Sequence, residues 1–187
     1  MKISAEVIEF FKKVREGVNE DFDGYHLWLA FQASLRVKCP SRSVGAVIVQ
    51  GKNIIATGYN GPTSGYPHPR TCKRVDLGVP SGTRLELCPC AHAEQNAIAQ
   101  AAKNGVSTKN AILYTPIIPC TLICAPSIIC AGISTVVCVV MQYDTDPEII
   151  STIDKFKYSG VELKEYRGPI RELLLELNAG LRSCPKV

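Results

Sequence analysis

Long apolar runs are missing from this sequence: no stretch approaches the roughly 18 to 20 consecutive apolar residues that a membrane-spanning helix needs. The first residues, Met1 to Glu6, also lack the basic segment and following apolar run of a secretory leader. We therefore expect a cytoplasmic protein with no membrane partner.

Charge is sparse as well. Charged residues make up only 20% of the chain, and the formal net charge is +4. Lysine and arginine nowhere form a run or a stripe, so nothing in the composition predicts a nucleic-acid partner. A small anionic substrate is compatible with this weak positive charge.

The apolar content, in contrast, is ample for folding. Apolar residues account for 46% of the 187 residues, which is too many for a disordered chain and enough for one buried core. We therefore expect a single domain over residues 1–187. Within it we expect an N-terminal helix in 1–20, a long loop insertion at 61–90, where nine glycines and prolines fall, and a C-terminal helix in 168–187.

Hydrophobic periodicity predicts an α/β protein. The β-branched runs Val44–Val49 and Asn53–Gly58, joined by a short turn, are typical of a hairpin. Further along, strand-like segments alternate with helix-like ones, and the helices are predicted over Ala91–Asn104 and Cys120–Ala131. Such alternation indicates parallel strands joined by crossover helices.

Nine cysteines are present, an odd number. In a chain without an export signal they do not predict a disulfide scaffold, because reducing compartments keep thiols free. Metal ligation or catalysis is the better-supported use.

Two short motifs carry the chemistry. His92 and Glu94 lie in CAHAEQNAI, which opens the alanine-rich helix, and Cys120 and Cys124 lie in PCTLIC. One imidazole and two thiolates would make a zinc site whose fourth position is open for water. Glu94 would face that water as a general base. Taken alone, the cysteine pair could also be two buried thiols, and Glu94 a carboxylate favoured by the helix dipole.

This combination resembles the zinc deaminases of the cytidine deaminase-like superfamily. A narrower likeness to deoxycytidylate (dCMP) deaminases is carried, in chain order, by VGAVIV at 44–49, ATGYNG at 56–61, VPSG at 79–82 and HAEQNAI at 92–98. The matching motifs run from about residue 28 to residue 133, which is more than half of the chain.

The resemblance implies a fold and a reaction. The fold is a three-layer α/β/α arrangement around a mixed five-stranded sheet. The reaction is the zinc-dependent hydrolysis of dCMP to dUMP and ammonia. A homohexamer, activation by dCTP and inhibition by dTTP are further properties of this family, and Tyr59 and Gly61 fall in the motif that it uses around the effector nucleotide.

The resemblance also assigns roles by position. It places His92, Cys120 and Cys124 on the zinc and gives Glu94 the proton transfer. The backbone of Ala93 would hold the carbonyl of the pyrimidine.

Two further side chains are candidates for substrate contact. Asn60 matches the asparagine that contacts the nucleoside in related deaminases, although a Tyr-Asn-Gly turn is the alternative reading. Arg42 is the candidate for the 5′-phosphate, because a guanidinium binds phosphate with a bidentate fork, or else it is a solvated arginine. Lys38 and Arg36 are weaker phosphate candidates.

The cysteine spacing departs from the family pattern. The family has Pro-Cys-x-x-Cys, whereas three residues separate Cys120 from Cys124 here. Residues three and four apart both lie on one helical face, so either spacing can offer two thiolates to one metal. We expect the extra residue to be accommodated by an altered helix start or by a bulge.

The long loop raises the question of a second metal. Five soft ligands lie in or beside it: Cys39, His68, Cys72, Cys88 and Cys90. Members of the family can carry a structural zinc in this region, and four ligands closing a tetrahedron would order the loop directly. The predicted set is Cys39, His68, Cys72 and Cys88.

Other functions remain open at this stage. One is the deamination of another base or nucleotide, such as dCTP, free cytosine or adenosine in tRNA, although the low net charge argues against tRNA. A second, from another class, is a nucleotide-sensing protein with a lapsed active site, which the widened cysteine spacing suggests and the intact Glu94 opposes.

Overall fold

A computed structural model of the protein describes residues 3–79, 84–140 and 146–181. Most of the VPSG motif, residues 80–82, lies outside these ranges. The helices are α1 (Ala5–Glu16), α2 (Phe22–Ser34), α3 (Lys73–Asp76), α4 (Ala93–Lys103), α5 (Cys124–Cys130), α6 (Pro147–Tyr158) and α7 (Arg171–Leu181), with a 3-10 turn at Leu85–Leu87. The strands are β1 (Gly45–Gln50), β2 (Asn53–Tyr59), β3 (Gly61–Pro62), β4 (Cys90–Ala91), β5 (Ile112–Ile117), β6 (Thr135–Val140) and β7 (Glu162–Glu165).

Five of the strands form one mixed sheet in the order β2-β1-β5-β6-β7. Strand β1 runs antiparallel to both β2 and β5, whereas β5, β6 and β7 are parallel to one another. The turn between β1 and β2 contains Gly51 at a φ of 62°, a left-handed conformation that glycine adopts readily. The predicted hairpin and mixed five-stranded sheet are confirmed.

Helices cover both faces of the sheet. One layer is formed by α4, α5 and α6, and the other by α1, α2 and α7. Along β1, Ala46 and Ile48 pack against the first layer and Val47 and Val49 against the second. A strand buried on both faces needs an almost continuous apolar run, which is what VGAVIV supplies. The three-layer α/β/α fold is therefore confirmed. Within the described ranges, no helix combines the length and the apolar content required to cross a bilayer.

Two parts of the chain differ from the prediction. The helix predicted from Cys120 is wrong at its start, because α5 begins at Cys124 and residues 121–123 form a turn. The described part of the long loop also contains four short elements, β3, α3, the 3-10 turn and β4, where the sequence predicts none. Gly61 of β3 pairs with Ala91 of β4, and this pairing holds the end of the hairpin against the residues that lead into α4.

Candidate zinc centre and active site

The residues of the two chemical motifs meet where α4 and α5 begin. His92 is the N-terminal cap of α4, with extended backbone, and its own N–H donates to Gln95 Oε1 at 3.2 Å. Cys120 follows the carboxyl end of β5, and Cys124 is the first residue of α5. Two segments distant in sequence therefore deliver one imidazole and two thiols to one point.

The distances between these ligand atoms suit a tetrahedral ion. His92 Nδ1 lies 3.2 Å from Cys124 Sγ and 3.4 Å from Cys120 Sγ. All three ligand atoms lie within 4.8 Å of one another. Zinc binds sulfur at about 2.3 Å and nitrogen at about 2.0–2.1 Å, so tetrahedral angles place such S and N atoms roughly 3.6 Å apart. The donor set and its spacing thus fit zinc with three protein ligands.

A wide turn accommodates the extra residue between the cysteines. The N–H of Ala125 donates to the carbonyl of Cys120 at 3.0 Å, across five residues instead of the four of an α-helix. The N–H of Cys124 donates to Cys120 Sγ at 3.4 Å. Of the two expected solutions, the structure therefore has the altered helix start, with Cys120 placed before the helix and Cys124 within it.

The pKa values of the two thiols are shifted in opposite directions. Hydrogen bonding from Cys124 and from the His92 ring outweighs burial and lowers the pKa of Cys120 to about 3. The same hydrogen bond, together with burial, raises the pKa of Cys124. The Cys120 thiolate in turn raises the pKa of His92, with Glu94 adding to the effect. The lowered pKa of Cys120 favours its thiolate, the form that ligates metal, and a bound cation would favour loss of the proton from Cys124.

Glu94 lies in the first turn of α4 and is only 3% exposed. Burial raises the pKa of its carboxyl group, and the charge of His92 opposes this shift. The carboxylate interacts electrostatically with His92, Cys120 and Cys124. Glu94 is therefore an acid that can be protonated nearer to neutral pH than usual, next to the ligand cluster.

Asn60 and Ala93, both predicted to contact substrate, contact each other. The backbone N–H of Ala93 donates to Asn60 Oδ1 at 2.8 Å, and Asn60 Nδ2 donates to the carbonyl of Arg42 at 3.4 Å. Asn60 is itself fixed by its backbone, because its N–H donates to the carbonyl of Val44 and its carbonyl accepts from Lys38. A pyrimidine carbonyl reaching the Ala93 N–H would compete with the Asn60 side chain for it.

Arg42 lies close enough to the ligand cluster for its charge to oppose protonation of His92. It lines a cavity of about 50 Å³ together with Asn60, His92 and Ile123. Buried Arg74 of α3 lines the same cavity and was missed by the sequence reasoning. The loop around Arg74 has no hydrophobic periodicity, so in the sequence Arg74 is marked only by its position two residues after Cys72. The alternative phosphate candidates Arg36 and Lys38 are exposed and are not among the cavity residues.

Tyr59 and Gly61, the candidate effector residues, flank Asn60 at the end of the hairpin. The carbonyl of Tyr59 accepts from Asn96 Nδ2 of α4 at 2.8 Å, which attaches this end of β2 to the catalytic helix. Any ligand that moves the Tyr59–Gly61 segment would therefore act one residue away from Asn60.

A second cysteine group borders the same cavity. The Sγ atoms of Cys39, Cys88 and Cys90 lie within 4.8 Å of one another. Hydrogen bonds from Cys88 and from the backbone of Ser41 and Arg42 lower the pKa of Cys39 to about 5. Burial raises the pKa of Cys90 to about 12, and the charge of Cys39 adds to this effect.

The ligand set predicted for a second metal is therefore revised. Cys39 and Cys88 lie together as predicted, but exposed His68 is not part of the group, and Cys90 is. Cys72 is buried and electrostatically coupled to Cys90, although it lies outside the group of three. The short β3–β4 pairing positions Cys90 in this group, because it brings residues 90 and 91 back against the end of the hairpin.

Comparison with known proteins adds to this geometry. The family model for the cytidine and deoxycytidylate deaminase zinc-binding region matches residues 18–140. The deoxycytidylate deaminase of Schizosaccharomyces pombe is 37% identical over 151 residues, which cover 79% of this chain and 45% of that protein. The deoxycytidylate deaminase of Saccharomyces cerevisiae is 34% identical over 157 residues, 83% of this chain and 48% of that protein. The chain thus spans about half the length of these two relatives.

A solved structure shares the fold. The dCMP deaminase of the cyanophage S-TIM5, in complex with dCMP and dUMP, is 28% identical and superposes with a TM-score of 0.64, covering 79% of this chain and 98% of that one. His92, Glu94, Cys120 and Cys124 all lie inside the segment that the family model matches. With two thirds of its length matched in this way, the chain belongs to the family of cytidine and deoxycytidylate deaminases.

Proposed function

We propose that this chain is a dCMP deaminase, which hydrolyses dCMP to dUMP and ammonia with zinc as its cofactor. The single observation that carries the proposal is the convergence of His92, Cys120 and Cys124 beside a buried Glu94. Two relatives are named deoxycytidylate deaminase, and the cyanophage relative was solved with dCMP and dUMP bound.

Zinc would be held by His92 Nδ1 and by the sulfurs of Cys120 and Cys124. When bound, it lowers the pKa of water from 15.7 to about 7 and so supplies a nucleophile at neutral pH. The three-ligand set leaves one position for that water, as catalytic zinc sites do.

Glu94 would move the protons of the reaction. Ionised, it accepts a first proton from the attacking water and passes it to the ring nitrogen; it then takes the second proton from the hydroxyl now on C4 and passes it to the leaving amine. Burial raises the pKa of Glu94, and this favours the second half of the cycle, in which the carboxyl group must hold the proton long enough to return it. Water adds at C4 of the ring and ammonia leaves, so the reaction consumes one water and needs no other reactant.

Substrate would be held by groups around the same cavity. The pyrimidine carbonyl would replace Asn60 Oδ1 at the backbone N–H of Ala93, and the carboxamide of Asn60 would then be available to the nucleoside. Arg42, with buried Arg74 beside it, offers guanidinium groups to the 5′-phosphate. Two cations near one anion would favour a nucleotide over the free nucleoside.

Replacing Glu94 with Gln tests the proposed catalytic role. The amide has nearly the same shape but cannot take a proton from water, so we expect the rate of ammonia release to fall by about 10²-fold or more, with zinc content unchanged. Full activity in Glu94→Gln would overturn the role of this residue. A wild-type protein that binds zinc but releases no ammonia from any cytosine nucleotide would indicate a sensing protein.

The substrate itself is tested by a panel of dCMP, dCTP, CMP and deoxycytidine, followed by the ultraviolet change of the cytosine ring. We expect the highest kcat/KM for dCMP. Turnover of the triphosphate alone would identify the protein as a dCTP deaminase and overturn the proposed substrate.

We also propose that dCTP activates and dTTP inhibits the enzyme, through Tyr59 and Gly61, and that the active form is a homohexamer. The hydrogen bond from Asn96 to the Tyr59 carbonyl supports the proposed regulation, since it connects the Tyr59–Gly61 segment to α4, which carries Glu94. Repeating the dCMP assay with each triphosphate and measuring the molar mass by light scattering test these two points.

Finally, we propose a second, structural zinc at Cys39, Cys88 and Cys90, with Cys72 as the nearest candidate for the fourth ligand. The lowered pKa of Cys39 supports it, because a thiolate is the form that ligates metal. Such an ion would join the segment before β1 to the loop that leads into α4.

A further inference from the structure

The turn between the two catalytic cysteines is held from outside by one helix. Lys155 of α6 donates from Nζ to the carbonyl of Thr121 at 2.7 Å and to Thr121 Oγ1 at 3.0 Å. Thr121 Oγ1 in turn donates to Ser151 Oγ at 2.9 Å, one turn earlier on α6. Thr121 is 8% exposed, so this network lies largely out of water.

The same helix also holds the residue on the other side of Cys120. The hydroxyl of Thr152, which is fully buried, donates to the carbonyl of Pro119 at 3.2 Å, and it shares this bond with the carbonyl of Glu148. The carbonyls before and after Cys120 are thus both fixed by side chains of α6. Leu122, at the outside of the turn, is 66% exposed.

This support matters because the turn is one residue longer than the family pattern. An added residue gives the segment more conformations, and ordering one residue costs roughly 1–2 kcal/mol of backbone entropy. Local bonds offset part of that cost: Ala125 and Cys124 donate to Cys120, and Ser127 donates to the carbonyl of Ile123. A charged donor such as an ammonium group makes the stronger kind of hydrogen bond, and Lys155 supplies it.

We propose that Lys155 is a positioning residue for the zinc site: its bonds to Thr121 hold the widened turn in the one arrangement that presents Cys120 beside Cys124 and His92. Lys155 does not touch the ligand atoms and acts through Thr121. The proposal rests on the zinc site of the proposed function and adds a residue that none of the motifs contains.

The test is the zinc affinity of Lys155→Met, measured by competition with a chromophoric chelator in the absence of nucleotide. Loss of a contact that orients a metal ligand typically weakens metal binding about 10- to 100-fold, and we expect an effect in that range. The control is Lys157→Met, at an exposed position of the same helix, which should stay within about twofold of wild type. Lys155→Arg keeps the charge and the donors, so it should recover part of the affinity.

A second readout separates positioning from general support of the fold. In cobalt-substituted protein, the visible bands report the coordination geometry, and we expect Lys155→Met to change them while Lys157→Met does not. A Lys155→Met protein that is merely less heat-stable, with unchanged zinc affinity and unchanged cobalt bands, would overturn the proposal. If Lys155→Met does not fold, Lys155→Leu tests the same contact, since it also removes the ammonium group and with it both bonds to Thr121. An unchanged zinc affinity in Lys155→Leu would be equally decisive against the proposal.

These measurements do not depend on the deaminase activity. If the wild-type protein binds zinc but deaminates no cytosine nucleotide, the proposed function fails, and the zinc affinities of the Lys155 variants still decide this inference. If the wild type deaminates dCMP and Lys155→Met binds zinc as tightly as wild type, the inference fails and the proposed function stands.

Discussion

His26 is a buried histidine on the face of the sheet opposite the zinc ligands. It is 7% exposed and packs against the ring of Tyr114, with 4.8 Å between ring centroids, and against Tyr25. Burial lowers the pKa of its imidazole below 6.5, while the carbonyl of Phe22 and the charge of Asp23 oppose the shift. The neutral ring is therefore the form that suits the folded protein.

A pH dependence of stability follows from this residue. Below pH 6.5 the unfolded chain binds a proton at His26 that the folded chain resists, so stability is present above 6.5 and is lost as pH falls toward the lowered pKa. We expect His26→Gln to lose less free energy of unfolding than wild type between about pH 7.5 and about pH 5.5, measured by urea unfolding. Equal losses in the two proteins would show that His26 does not contribute to the acid sensitivity.

At the scale of elements, the backbone of α4 packs directly against Gly58 of β2. A Cβ placed on Gly58 of β2 would lie 2.1 Å from the carbonyl oxygen of Ala93 and 2.5 Å from the N–H nitrogen of Ala97, both backbone atoms of α4. Ala93, Ala97 and Ala101 recur every four residues and are fully buried on this face. Glycine on the strand and alanine on the helix thus set the position of His92 and Glu94.

Gly58→Ala should therefore weaken both the fold and the site. Overpacking typically costs about 1–3 kcal/mol, and here the clash is with backbone that carries the catalytic residues, so we expect a loss at the upper end of that range. The matched control is Gly61→Ala, whose added Cβ would meet nothing closer than 3.7 Å. Urea unfolding of both variants measures the effect, and equal stabilities would contradict the close-packing argument.

Element boundaries show what local sequence could and could not predict. The alanine spacing places α4 within two residues of its observed bounds. The start of α5 is wrong by four residues, because Cys120 through Ile123 follow β5 in a turn whose geometry depends on side chains of α6. Hydrophobic periodicity predicts the middle of a helix, whereas the residue at which the helix starts depends on its capping and tertiary contacts.

On the scale of the whole molecule, the second cysteine group borders the same cavity as His92 of the first metal site. Cys39, Cys88 and Cys90 come from the segment before β1 and from the end of the long loop, and they line the cavity together with His92. A structural ion there would tie both segments to the entrance of α4. The two metal sites would then support a common set of loops.

Zinc content tests the second site. We expect two zinc ions per chain by elemental analysis of the wild-type protein and one in Cys90→Ser. His68→Gln is the control, because His68 is exposed and outside the group, and it should keep two. A single zinc in the wild type would remove the second site, and loss of a zinc in His68→Gln would restore the set predicted from the sequence.

The sequence by itself determined the set of candidate ligands and the layering of this protein. An imidazole, a carboxylate and two thiols predict a zinc centre through their ligand chemistry, their ordered motifs match a family of deaminases, and apolar runs buried on both faces specify a sheet between helices. Tertiary structure alone decided that Cys90, and not His68, lies beside Cys39 and Cys88, that Arg74 lines the cavity next to His92, and that Lys155 donates to the turn between Cys120 and Cys124. These outcomes depend on contacts between residues far apart in the chain. The long loop has no hydrophobic periodicity, so only packing selects its arrangement.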